Sequence, residues 1–229
     1  MTPHEPQAEP MIIGRPTESR SFRQQGVATL DASGSMTESA AGTARQTKAA
    51  AAGTALSELI GRLKVSARCQ NFFMAEVDFH DRVAHAAPTR PVVDIDDFDS
   101  FDPTRFGTGG TAIACGLERA HQLALDFLND PAAAELPSSS VILLLTDGED
   151  FQPERTIALA DKIREDPRIT IAAAFFATKG RTSNGADHLK RICSDPSRFY
   201  KTVYDGETLR KFFEASMTAA TQITLGPGA

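Results

Sequence analysis

The chain has 229 residues, 41% of them hydrophobic and 24% charged, with a formal net charge of −6. That length and balance fit one globular domain with a sizeable buried core. The acidic total and the lack of any basic stripe argue against a phosphate-backbone partner, so no nucleic acid is expected.

Residues 1 to 22 are rich in Pro, Glu, Ser and Arg and read as a flexible tail. Met1 to Glu9 lacks the basic start and apolar stretch of an export signal. Val27 to Leu30 is a short apolar strand ending at Asp31. From Ala44 to Leu63 the pattern becomes helical, with Leu56, Leu59, Ile60 and Leu63 on one face. Phe72 to Phe79 reads as a strand, and Arg82 to Ala86 as its hairpin partner through His80-Asp81. An acidic loop from Asp94 to Asp102 follows, then a helix from Ala112 to Leu128 with Ile113, Leu117, Ala124 and Leu128 on one side. Val141 to Leu145 is apolar without alternation, which suits a central parallel strand buried on both faces. Pro153 opens a third helix that ends near Asp166-Pro167. Ile169 to Ala177 is another buried strand, Asp187 to Cys193 a short helix and Phe199 to Val203 an edge strand. The last helix, Glu207 to Thr221, carries Leu209, Phe212, Phe213, Ser216, Met217 and Ala220 at helical spacing, and 224–229 is a flexible end.

Alternating strands and helices over 23–223 predict a three-layer, doubly wound, Rossmann-like α/β domain. Its sheet is mostly parallel with one short antiparallel edge strand, and helices cover both faces. No apolar run approaches the roughly 20 residues of a membrane span, so no membrane partner is expected. Cys69, Cys115 and Cys193 are far apart and odd in number. They read as reduced thiols of a cytoplasmic protein, not as a disulfide framework or a zinc site.

Ligands of such sheets gather at the carboxyl ends of the strands. Two strands deliver an acid there, Asp31 and Asp147. Asp31-x-Ser33-x-Ser35 sets one acid and two hydroxyls on alternate positions of a tight loop, with Gly34 expected to let the backbone turn. Gly107-Thr-Gly-Gly-Thr111 places a further hydroxyl just before a helix, and Thr146-Asp147-Gly148 follows the most apolar strand. Asp31 to Ser35 alone is equally a turn or a helix cap. The three pieces together make a coherent oxygen site.

In order and spacing these three pieces resemble the metal-ion-dependent adhesion site of von Willebrand factor A domains, over about Gly26 to Thr221. The resemblance implies that Ser33, Ser35 and Thr111 ligate a divalent ion through their hydroxyls. Asp31 and Asp147 then bind it directly or through water. Mg²⁺ is the expected ion, with Mn²⁺ or Ca²⁺ as alternatives. Neutral hydroxyls leave a hard cation electrophilic, so an Asp or Glu of a protein partner is the natural last ligand. The implied role is binding, not catalysis. The overall form resembles bacterial cytoplasmic, TerY-like members of tellurium-resistance and stress-response clusters, which go with kinases, phosphatases or ATPases; a defence system is a further setting. The alternative is a metal-dependent hydrolase or phosphotransferase using the same site.

Other signals read more plainly. Gly107-x-Gly109-x-x-Ala112 matches a dinucleotide fingerprint but lacks the strand that should precede it. The acids between Asp94 and Asp102 miss the spacing of a calcium loop and read as solvated. His80, His85, His121 and His188 read as structural, and Glu149 and Asp150 as facing solvent, with tuning of the neighbouring metal loop's charge as the alternative.

Overall fold

The computed structural model describes residues 21–40, 46–81, 84–97, 99–178 and 184–225. In chain order its elements are β1 (Arg23–Asp31), α1 (Lys48–Lys64), β2 (Phe72–Phe79), β3 (Ala84–Pro91), α2 (Ile113–Leu128) and β4 (Ser138–Thr146). These are followed by α3 (Pro153–Arg164), β5 (Ile169–Phe176), α4 (Gly185–Ile192), α5 (Pro196–Phe199), β6 (Tyr200–Val203) and α6 (Gly206–Leu225). The sheet runs β3-β2-β1-β4-β5-β6, parallel except for β3, which pairs antiparallel with β2 at one edge. This is the α/β architecture expected from the alternation of elements.

Two apolar layers explain why β4 shows no alternation. Val141, Leu143 and Leu145 point into a core with α1 and α6, while Ile142 and Leu144 point into a second core with α2, α3 and α4. Side chains alternate across a strand, so a strand covered on both faces must be apolar at every position. The helical stripes fall where the periodicity places them. Leu56, Leu59 and Ile60 of α1 and Leu209, Phe213 and Met217 of α6 lie in the first core. Ile113, Leu117, Ala124 and Leu128 of α2 lie in the second.

The boundaries differ from the sequence reading in places. β1 begins four residues before Val27, because Gln24 and Gln25 are buried yet fully engaged. The Gln24 amide donates to the Met217 carbonyl at 2.7 Å and accepts from the Thr221 hydroxyl at 2.8 Å. Gln25 donates to Thr89 at 2.7 Å and accepts from Ser140 at 2.7 Å. Polar side chains at the amino end of a central strand hid it from a hydrophobicity pattern. The expected helix start at Ala44 lies outside the described residues; α1 starts at Lys48, after Thr47 accepts a capping bond from the Ala50 N–H at 3.1 Å. The hairpin start at Arg82 also lies outside them, and β3 runs on to Pro91. Most of both expected tails, residues 1–20 and 226–229, falls outside as well. Phe22, at the end of the first, is buried edge-to-face against Phe72, with ring centroids 5.9 Å apart.

Leu143 is wholly buried, so Leu143→Ala is expected to lower the unfolding free energy by about 2–5 kcal/mol. Urea denaturation of the purified variant measures it.

Candidate functional site

β1 and β4 are parallel neighbours with Leu30 opposite Leu145. Their carboxyl ends therefore present Asp31 and the Thr146-Asp147 pair side by side. Asp31 has no exposed surface. One of its oxygens accepts the Ser33 N–H at 2.7 Å, and the other accepts the hydroxyls of Thr146 and, at 3.5 Å, Thr111. All of these donors are neutral. Burial pushes the Asp31 carboxyl up to about 7, against the pull of the Thr146 and Ser33 hydrogen bonds, and the Asp147 charge adds to the push.

Ser33 is buried, and its hydroxyl lies 3.0 Å from that of Ser35. Ser35 donates to Asp147 Oδ1 at 2.6 Å. With that proton committed, Ser33 is the donor in the serine pair. The loop carrying Thr111 is zipped onto the first loop: the Gly34 N–H donates to the Gly109 carbonyl at 2.9 Å, and Ser33 and Gly109 form an isolated parallel bridge. The third loop closes from the other side. A Cβ on Gly148 would stand 2.5 Å from Thr111 Oγ1, so the close approach needs glycine there. The structure thus brings Asp31, Ser33, Ser35, Thr111 and Asp147 into one hydrogen-bonded cluster.

The role expected of Gly34 is not seen. Its φ is not positive, and a Cβ there would meet nothing nearer than the Gly109 carbonyl at 4.0 Å. A 3₁₀ turn over Gly34–Thr37 makes the bend instead. Among the described residues Gly107, which opens the second loop, is the glycine that adopts a positive φ, of 113°.

Two site-supporting residues were missed in the sequence. Lys48, the first residue of α1, is buried, and its ammonium lies 2.5 Å from Asp147 Oδ2, 3.2 Å from Glu38 Oε2 and 3.4 Å from the Ser35 carbonyl. The one local signal was a lysine at a helix start, where a cation opposes the helix dipole. Asp150 was expected to face solvent, but its side chain is 1% exposed. It accepts from the Ile113 N–H at the head of α2 at 3.2 Å and from the Thr156 hydroxyl of α3 at 2.5 Å, and it lies 3.1 Å from His188 Nε2 of α4. Burial pushes this carboxyl up, yet the bonds from His188, Thr156 and the backbone outweigh it and hold Asp150 below the usual range. It pins three helices beside the site. Glu149 is exposed and accepts from the Asn184 N–H at 3.2 Å.

A second buried acidic cluster anchors the segment that leads to Thr111. Arg105 forks onto Glu76 at 2.7 and 3.0 Å and reaches Asp78 at 3.1 Å. Asp78 Oδ1 is buried without a hydrogen-bond partner. Burial and the neighbouring Glu76 charge push Asp78 up to about 8, more than Arg105 pulls it down.

The weaker signals stay structural. Gly107-x-Gly109-x-x-Ala112 follows a 3₁₀ turn (Pro103–Phe106), not a strand. In the acidic loop Asp94, Asp96 and Asp97 are exposed and Asp99 pairs with Arg90 at 2.7 Å, while Ile95 and Phe101 anchor the loop in the core. His80 pairs with Asp81, and His85 stacks on Phe106 with centroids 4.7 Å apart. The three cysteines are free. Among the described residues no helix is long and apolar enough to cross a membrane.

The sequence profile described as the von Willebrand factor type A domain matches residues 27–215. No curated protein matches the chain. Among solved structures the chain is similar to the open conformation of the pilus adhesin SpaC from Lactobacillus rhamnosus GG, at 9% identity. That match covers 91% of this chain and 31% of SpaC, with a TM-score of 0.67. It is also similar to a von Willebrand factor type A protein from Catenulispora acidiphila, at 18% identity over 87% of this chain and 43% of that one, with a TM-score of 0.60. A third likeness is to manganese-loaded TRAP protein of Plasmodium vivax, at 17% identity over 85% of this chain and 74% of that one, with a TM-score of 0.50. The chain spans between 31% and 47% of the length of the first structures it matches. At such identities the likeness is one of fold.

The Asp78 carboxyl carries a folded-state value of about 8 against an ordinary 3.8. The folded state therefore binds the proton more tightly, and stability is expected to fall as pH rises between those two values. Asp78→Asn should flatten that fall, which thermal melting across the same pH range will show.

Proposed function

Because the chain belongs to the von Willebrand factor type A domain family, we propose that it is a divalent-cation-dependent protein-binding module. Asp31, Ser33, Ser35, Thr111 and Asp147 hold the ion, and one coordination position stays free for an Asp or Glu of a partner. Domains of this family are often metal-dependent and mediate protein–protein interactions.

The observation that carries this reading is the buried charge of Asp31. Among the described residues its partners are all neutral donors, and it faces a second buried carboxylate, Asp147. A buried carboxylate without a cation is costly, and a cation at this cluster relieves it. The donor set suits a hard ion, because every side chain offers oxygen and none offers sulfur or imidazole. Mg²⁺ is the first choice, with Mn²⁺ or Ca²⁺ as alternatives. When bound, the ion supplies an electrophilic position that a carboxylate can occupy. Ser33, Ser35 and Thr111 hold it with neutral hydroxyls, while Asp31 and Asp147 supply charge directly or through water.

A feature beside the cluster favours a protein ligand. Phe151 is 66% exposed and lies against Gly110, where an added Cβ would meet its ring at 2.2 Å. An exposed aromatic ring next to a buried charged cluster has the composition of an interaction surface. We assign the folded domain to 23–223. We further place it in a bacterial cytoplasmic stress-response, tellurium-resistance-like or defence system, with a kinase, phosphatase or ATPase of the same gene cluster as partner. That setting rests on the sequence resemblance, and its cytoplasmic part on the free, widely spaced cysteines.

Calorimetric titration with Mn²⁺ and with Mg²⁺ tests the proposal. Wild type is expected to bind one ion per chain. Asp31→Ala, with an unchanged circular dichroism spectrum, is expected to bind it at least about 10-fold more weakly and to lose carboxylate-dependent partner capture. Absence of binding by the wild type would sink the reading. So would phosphoester or nucleotide hydrolysis that disappears in Asp31→Ala.

A further inference from the structure

The two carboxylates of the cluster are treated differently. Among the described residues Asp31 meets only neutral donors, whereas both oxygens of Asp147 are engaged, one by the Ser35 hydroxyl and the other by the Lys48 ammonium. The Lys48 and Asp147 side chains are 3% and 1% exposed. Lysines are almost never this buried unless paired, and a buried ion pair rarely repays its own desolvation. Lys48 is also the first residue of α1, with no acidic residue in that helix's first turn, so its charge works against the helix dipole. Packing alone offers no reason to keep a lysine here; its evident use is the charge it sets against the buried Asp147.

We infer that Lys48 is a resident counter-cation of the candidate metal centre, which holds Asp147 and Ser35 in place before metal arrives and weakens the affinity for the ion. The inference rests on the metal-binding reading above and adds a residue to it. The charge balance shows what such a lysine achieves. With Asp31 ionised, as beside a bound cation, Asp31, Asp147 and Lys48 together contribute one net negative charge. Glu38, the third partner of the ammonium, is 45% exposed and solvent-screened. A divalent ion brings that cluster to one net positive charge, which a single carboxylate from a partner neutralises. Without Lys48 the loaded cluster would already be neutral, and the ion would hold more firmly while attracting a partner less. Lys48 thereby shifts affinity from the metal to the acidic ligand. In the metal-free protein its contacts to Asp147, Glu38 and the Ser35 carbonyl keep three segments assembled.

The test compares Mn²⁺ binding and thermal melting of wild type, Lys48→Met and Lys48→Arg in the full chain. Lys48→Met is expected to bind Mn²⁺ about 10-fold or more tightly, because a cation a few ångströms away no longer repels it. In a chelator the same variant is expected to melt below wild type, since Asp147 is left buried without a counter-charge. Lys48→Arg, which keeps the charge, should stay near wild type in Mn²⁺ affinity. These opposite signs separate the inference from a merely structural role, which would lower stability and affinity together. Lys48→Gln retains a donor for Asp147 without the charge and should tighten Mn²⁺ binding even if Lys48→Met folds poorly. Unchanged or weaker Mn²⁺ affinity in folded Lys48→Met or Lys48→Gln overturns the inference and leaves the metal reading standing. Binding by neither wild type nor any variant overturns both.

Discussion

Asp31 ends β1 and Asp147 follows the end of β4, its parallel neighbour, and both side chains are taken out of water. Like charges in a low-dielectric setting raise each other's energy, and each loses several kcal/mol of hydration in the effective protein environment. The surrounding polar structure responds to that constraint. Asp147 receives the Lys48 ammonium and the Ser35 hydroxyl. Asp31 receives one N–H and two hydroxyls, which hold it in position without cancelling its charge. The serine pair, the Ser33–Gly109 bridge and the contact of Gly148 with Thr111 bring three loops together around the two acids.

That arrangement is only as good as the scaffold beneath it. β1 and β4 sit in the middle of a six-stranded sheet, and both faces of β4 are packed against helices. Side chains at the ends of such strands move little, so hydroxyls and carboxylates can be held in one geometry before any ion arrives. The loops are secured in turn. Asp150 ties the heads of α2 and α3 to His188, and Arg105 clamps the approach to Thr111 onto Glu76 of β2. A site on three loops becomes rigid because each loop has its own anchor in the sheet or in a helix terminus.

The arrangement also bears on what kind of ligand the domain suits. Two buried acids, one buried lysine and three hydroxyls form a centre that is electron-poor once a divalent ion is present. An exposed phenylalanine stands close by. Among the described residues the His80-Asp81 pair lies against Gly109 of the loop to Thr111, His85 stacks on Phe106 and His188 meets Asp150.

Much of this was legible in the chain itself. Apolar runs of period two, 3.6 or none identified every main strand and helix except the short α5, because burial on one face or two leaves a local pattern. The acids at two strand ends and the hydroxyls on two Gly-rich loops could be read as one site, because in a parallel sheet the carboxyl ends of the strands share an edge. Other features came only from the tertiary structure. Gln24 and Gln25 extend β1 because partners up to 197 positions away satisfy them. Lys48 is 99 positions from Asp147, and Asp150 is 38 from His188. Gly34 looked necessary and is not, while Gly148 is needed for a contact with a residue 37 positions earlier that spacing does not reveal. Periodicity records which side of an element is buried. It carries no record of which distant charge or hydroxyl meets it there, and that choice belongs to packing.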